Sequence, residues 1–201
     1  MDVSANRRQR EPGAVVRTLV ITQNMTVDGS IEMLGDWFNP QGQADQTDLM
    51  EEVRRQDSRS DAFLVGRQTF QDLRSYWPQQ TDDQTGVTKY LNEVSKYVVS
   101  STITDPQWQH TTVISDDPVP QVRALKEQQG KDIVTTGSIT LCHTLIEAGL
   151  VDEYRLFIYP VVQGRGRRLF PDGFELPKLR FVETRSFTGG IVYSRYSADR
   201  G

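Results

Sequence analysis

Apolar residues occur in short blocks along this chain, and the spacing inside each block separates strands from helices. The β-branched run 15–24 (VVRTLVITQN) predicts a buried strand, followed by a loop holding Asp28-Gly29, Trp37 and the turn pair Asn39-Pro40. Residues 45–55 place Leu49 and Val53 one helical turn apart, with Thr47 or Asp45 as N-cap. A short apolar strand, 62–65 (AFLV), stops at Gly66; a helix over 69–77 is closed by Pro78, and 79–88 reads as polar loop. The runs 96–100 (KYVVS), 111–115 (TTVIS) and 132–135 (DIVT) read as strands. Helices are expected over 120–128, which opens at a proline, and over 138–148, where Leu141, Leu145 and Ile146 share a face ahead of Gly149. A long strand covers 154–162, and 179–187 and 191–196 flank Thr188-Gly189-Gly190 as a hairpin. Strands alternating with helices predict an α/β fold on a parallel-rich sheet, with antiparallel strands added at one edge by the hairpin.

Residues 1–13 hold three arginines, a proline and a glycine without periodicity, and read as a disordered tail ahead of a single domain, 14–201. At 201 residues and 36% hydrophobic content the chain can bury a core without disulfide or metal. The balance of 23 basic against 27 acidic residues, net −4, argues against a nucleic-acid partner, which requires a basic face. Lone Cys142 excludes an internal disulfide framework and fits a reducing compartment, and two histidines are too few for an ordinary zinc site. The polar start is unlike a secretory signal, and no apolar run approaches the ~18 residues of a membrane span. The expectation is a cytoplasmic globular protein with no metal and no membrane partner.

Three expected strands end in clusters suited to anions. Gly66-Arg67-Gln68-Thr69 follows AFLV and opens a helix, so glycine permits close approach, the helix start offers N–H groups, and Arg67 and Thr69 add donors. Ser100-Ser101-Thr102 follows KYVV, and Thr136-Gly137-Ser138 follows DIVT and opens another helix. Taken singly, each is as well explained by a turn and a helix cap; together, at successive strand exits of an open parallel sheet, they line a nucleotide-sized groove. Neither G-x-G-x-x-G nor G-x-x-x-x-G-K-[ST] is present. Cys142 lies mid-helix between leucines and reads as a small buried hydrophobe, His143 falls on the outer face of that helix, and His110 lies in a polar loop. The run 164–168 (GRGRR) reads either as a phosphate holder or as a solvated turn, and Trp37 either as a lid or as a pin for its loop.

The runs Thr26-Val27-Asp28-Gly29-Ser30-Ile31, FLVGRQTF (63–70), KYVVSST (96–102), IVTTGSITL (133–141) and LVDEYRLFIYPVVQGRGRRLFPDG (150–173) form an ordered set over residues 15–197. As a set they resemble the dihydrofolate-reductase-like superfamily, and within it stand-alone proteins similar to the C-terminal reductase domain of bacterial riboflavin biosynthesis. The resemblance implies a mixed, mostly parallel central sheet of about eight strands with helices on both faces. It also implies an NADPH-dependent reductase similar to 5-amino-6-(5-phosphoribosylamino)uracil reductase, acting on a small pyrimidine- or pterin-like heterocycle. On it, Gly66, Arg67 and Thr69 grip the cofactor phosphates, Ser100, Ser101 and Thr102 lie near the adenosine 2′-phosphate, and Gly137 and Ser138 lie under the pyrophosphate. Asn24 and Ile31 match positions bordering the nicotinamide.

Two departures bear on substrate. Dihydrofolate reductases usually hold two or three adjacent glycines where this chain has only Gly137, and the riboflavin reductases follow their glycine-arginine turn with Asp-Asp-Pro where this chain has QDLRSYWP (71–78). The resemblance further implies a carboxylate at the start of the first helix; Asp48 is the expected proton donor, with Asp45 as rival, in a partly apolar cleft that would raise its pKa. A true dihydrofolate reductase and a non-catalytic nucleotide-binding protein are the alternatives. The apolar strand 153–162 fits a homodimer interface or a strand covered on both faces by its own helices.

Overall fold

The computed structural model describes residues 16–39, 46–176 and 178–198. β1 (Leu19–Thr26) leads through α1 (Thr47–Asp57) to β2 (Ser60–Gly66); α2 (Arg67–Tyr76), a 3-10 turn (Trp77–Gln79) and α3 (Val87–Glu93) lead on to β3 (Ser95–Val99). Then follow β4 (Thr111–Ile114), α4 (Pro118–Glu127), β5 (Asp132–Thr135), α5 (Ile139–Glu147), β6 (Glu153–Tyr159), β7 (Leu179–Ser186) and β8 (Val192–Ala198). Among the described residues these strands form one sheet in the order β4-β3-β2-β5-β1-β6-β8-β7. All pairs among β1–β6 are parallel; β8 is antiparallel to β6 and to β7, so the C-terminal hairpin brings in the antiparallel edge. The expected tail, 1–13, lies outside the described residues.

Strand alternation divides the core into two layers. Ala62 and Leu64 of β2 pack with Val122 of α4 and Leu141 and Leu145 of α5, whereas Phe63 and Val65 pack with Phe70 of α2 and Leu91 of α3. Leu49 of α1 packs against Phe157 and Tyr193. Right-handed crossovers dictate this arrangement. Connections running from β1 toward β4 put α1, α2 and α3 on one face, and those returning toward β6 put α4 and α5 on the other. Adjacent strands β1 and β5 therefore send their chains to opposite faces, which leaves a crevice beyond their carboxyl ends.

Three local differences from the sequence reading have identifiable causes. Helix α1 begins at Thr47 after Gln46, with no side-chain cap; Thr47 lies within the helix, and Asp45 is outside the described residues. The polar stretch 79–88 gives way at Val87 to α3, whose start is organised by Asp83. Its Oδ2 accepts from the Thr88 N–H (2.8 Å) and its Oδ1 from the Thr85 N–H (2.8 Å). Only Leu91 of that short helix is buried, too little apolar periodicity to read from sequence. Strand β6 stops at Tyr159, before Pro160, and lies inside the sheet between β1 and β8, so its apolar run is accounted for within the chain.

Candidate active site

The crevice between β1 and β5 opens into a cleft of about 990 Å³. Of the residues singled out from sequence, Asn24, Ile31, Gly66, Arg67, Thr69, Gly137 and Ser138 line it together. Its outer end is built from two interlocked turns. The Gly66 N–H donates to Ser138 Oγ (3.0 Å), and the Ser138 N–H donates to Thr69 Oγ1 (2.9 Å). Gln23, buried on β1, clamps the second turn: its Nε2 donates to the Gly137 carbonyl (2.8 Å) while its Oε1 accepts from the Gly137 N–H (3.1 Å). Gly137 needs to be glycine on two counts. Its φ is +57°, and a Cβ there would lie 3.0 Å from Thr69 Oγ1. Ser138 is also left-handed (φ 41°, ψ 47°), a strain the surrounding bonds hold in place.

These bonds change the expected anion site. The amides of Gly66, Gly137 and Ser138 are committed to protein partners. The donors left over are first-turn amides of α2 (Gln68, Thr69) and α5 (Ile139, Thr140, Leu141), none of which has a partner among the described residues. These five residues and Arg67 line the cleft, so two helix N-termini and the Arg67 side chain face one space. The hydroxyl triplet is divided. Ser100 is buried, and its Oγ accepts from the N–H groups of Thr102 (3.2 Å) and Ile103 (3.1 Å), which makes it a turn former; Ser101 and Thr102 are exposed, and none of the three lines the cleft.

The loop after β1 is fixed from outside the cleft. Gln163 Oε1 accepts from the Trp37 indole N–H (2.9 Å) and the Leu34 N–H (3.2 Å), and its Nε2 reaches Ser30 Oγ and the carbonyls of Glu32 and Arg165. Arg167 forms a two-point pair with Glu32 (2.9 and 2.7 Å), which holds that carboxyl below its usual range. Hydrogen bonds from Thr26, Gly164 and Gln163 hold the Asp28 carboxyl down to about 2. The arginine-rich turn is thus a clasp on the first loop, and Trp37 is a pin, stacked edge-on against Tyr159 at 5.2 Å. Cys142 is buried, and desolvation pushes its thiol up to about 12, which fits the packing role.

The expected environment of Asp48 is not found. Its carboxylate turns to the β7–β8 hairpin, where Oδ2 accepts from the Thr188 N–H (2.8 Å) and hydroxyl (2.9 Å). Those bonds lower its pKa, it does not line the cleft, and nothing in its surroundings supports proton delivery. We expect Asp48→Asn to leave turnover within about twofold and to destabilise the fold slightly, read from a denaturant titration beside steady-state rates; a hundredfold loss of turnover would restore the catalytic role.

A carboxyl of the opposite character lies at the inner end. Asp57, the last residue of α1, lines the cleft, and burial pushes its pKa up to about 7. Its sequence context, RRQDS, resembles a solvated helix end, and the desolvation comes from packing that only the fold supplies.

Residues 17–193 match the RibD C-terminal domain family. The chain belongs to that family. Two uncharacterized proteins of Bacillus subtilis (strain 168) are similar to this RibD C-terminal domain along nearly their whole length. YyaP is 34% identical over 90% of this chain and 94% of its own, and YwjB is 27% identical over 84% and 87%. Among solved structures, a pyrimidine reductase-like protein from Corynebacterium diphtheriae superposes with a TM-score of 0.65 at 18% identity, over 92% of this chain and 93% of that one. A dihydrofolate reductase from Enterococcus faecalis complexed with NADP(H) gives 0.59 at 15%, over 90% and 97%. The fold is dihydrofolate-reductase-like, as the sequence motifs implied. Among the described residues, no helix is long and apolar enough to cross a membrane.

Proposed function

We propose that this RibD C-terminal domain is a cytoplasmic NADPH-dependent reductase of a small heterocyclic substrate. The observation that carries the reading is the division of one cleft into two chemistries. Its outer end offers Arg67 and the amides of two helix N-termini, a donor set that fits the phosphates of a dinucleotide. Its inner end is apolar and large enough for a separate planar molecule. Bound at the outer end, the reduced nicotinamide supplies a hydride for a C=N or C=O bond.

The chain's own residues bind, orient and exclude water. Arg67 and the first turns of α2 and α5 would hold the phosphates, and Asn24 and Ile31 border the path from outer to inner end. The cations lining the cleft are Arg67 and Arg167, and the second is held by Glu32. Among the described residues the inner end has no cation to receive a phosphate, so a substrate carrying a phosphoribosyl group is disfavoured.

Cofactor choice tests the reading. Ser101 and Thr102 are exposed at the end of β3, next to the β2 end that carries Arg67, and Asp72 is engaged by the Gln68 side chain at 2.9 Å. A 2′-phosphate reaching past Arg67 toward the end of β3 would meet that cation and the two hydroxyls. NADPH is expected to bind at least about tenfold more tightly than NADH, equivalent to roughly 1.4 kcal/mol, in fluorescence titrations at fixed salt. Equal constants would reject it.

A further inference from the structure

The inner part of the cleft is walled by Phe63 of β2, Trp77 of the 3-10 turn, and Val87, Tyr90 and Leu91 of α3, with Asp57 of α1 among them. Phe63 and Tyr90 meet edge to face with ring centroids 6.4 Å apart, and Trp77 is almost fully buried. An aromatic wall attracts a cation wherever it presents a ring face. The Asp57 carboxylate has neither a hydrogen bond nor an ion pair among the described residues. The Tyr90 hydroxyl, near enough to feel the charge of Asp57, is bonded to Ser60 Oγ at 2.7 Å instead. Arg155, whose charge also reaches Tyr90, is held by Glu153 (2.6 Å) and Asp132 (2.8 Å).

A carboxylate drawn partly out of water is ordinarily paired, and Asp57 is half-buried where it lines the cleft. Here the protein supplies no partner, and the space beside the group is a chamber with aromatic walls. Such a chamber disfavours an anion, gives a neutral ring only its apolar contacts, and gives a cation both the walls and a counter-charge.

We propose that the inner chamber is a binding site for an organic cation, a protonated amine or amidine on a flat apolar body, with its charge set against Asp57 and its body among Phe63, Trp77 and Tyr90. The site adds a second ligand to the cleft and rests on the reading of the cleft given above.

Three probes of one shape separate the possibilities: benzamidine (cation), benzamide (neutral) and benzoate (anion), titrated by calorimetry against the full chain at pH 8. Benzamidine is expected to bind at least tenfold more tightly than benzamide, and benzoate more weakly than either. In Asp57→Asn the preference for benzamidine over benzamide should vanish, while Glu32→Gln, at the mouth, should retain it. Equal binding of benzamidine and benzamide, a preference that survives Asp57→Asn, or one lost only in Glu32→Gln would each overturn the proposal. NADPH titration of the same proteins keeps the two readings apart. Intact cofactor binding without a cation preference sinks only the inner site, and a cation preference without cofactor binding sinks only the reductase.

Discussion

Gly137→Val should raise the dissociation constant for NADPH by about a hundredfold while leaving the protein folded. A β-branched side chain at φ +57° is a genuine outlier, and left-handed backbone costs a non-glycine residue roughly 1–2 kcal/mol even without a clash. Here there is also a clash, since the new Cβ would lie 3.0 Å from the Thr69 hydroxyl oxygen that receives the Ser138 N–H. Relieving it moves the turn away from α2 and separates the two helix starts on which the phosphate site depends. Gly149→Val is the matched control. Gly149 is equally left-handed (φ +62°), but a Cβ there meets nothing within 4 Å, and the residue does not line the cleft. It should lower the melting temperature and leave cofactor affinity alone. Circular dichroism beside fluorescence titration reads both effects. Unchanged NADPH affinity in a folded Gly137→Val protein would remove this turn from the cofactor grip.

Asp57→Asn should make the free protein more stable at neutral and alkaline pH. The folded-state pKa of Asp57 is raised from the ordinary 3.8 to about 7, with burial as the cause. The folded state therefore holds a proton that the unfolded chain has released between these values. The favourable contribution is complete below pH 4 and is lost as pH rises through 7. The groups around it are the Tyr90 hydroxyl on α3, Ser60 on β2 and, by their charge, Asp61 and Arg155. At pH 8 the variant should gain about 2–4 kcal/mol and roughly 5 °C or more in Tm, whereas at pH 4 the two proteins should be equal. Thermal melts at both pH values decide it. A variant no more stable than the parent at pH 8 would show that Asp57 is solvated in solution. A destabilising carboxylate retained in a cleft is the pattern expected of a group kept for binding or chemistry.

What could be read from the sequence was local. Gly66–Thr69 and Gly137–Ser138 stood out because each adjoins a strand end, and the sheet then brought those ends together. Gln23 escaped notice because its partner, Gly137, is 114 residues away and a lone glutamine in a strand looks like ordinary alternation. Asp48 has a setting other than the expected one for the same reason. A first-turn aspartate beside Leu49 fits a cleft, but the hairpin that claims it lies 140 residues downstream. Ser100 looked like a ligand and proved to hold its own turn through neighbours two and three positions on, a competition that hydroxyl residues commonly win. Asp57 was hidden twice, by charged neighbours on α1 and by α3, which was itself unforeseen.

The interlocked turns at the outer end and the slight helix α3 at the inner end differ in how many ties they have to the rest of the chain. The former join β1, β2 and β5 through four hydrogen bonds within the chain. The latter buries only Leu91 and hangs from a cap made by Asp83. Drift in a lineage is therefore cheap at one end and expensive at the other. Replacing Val87, Tyr90 or Leu91 reshapes the inner end of the cleft without loosening the turns, so descendants of this chain can vary one end of the cleft while inheriting the other.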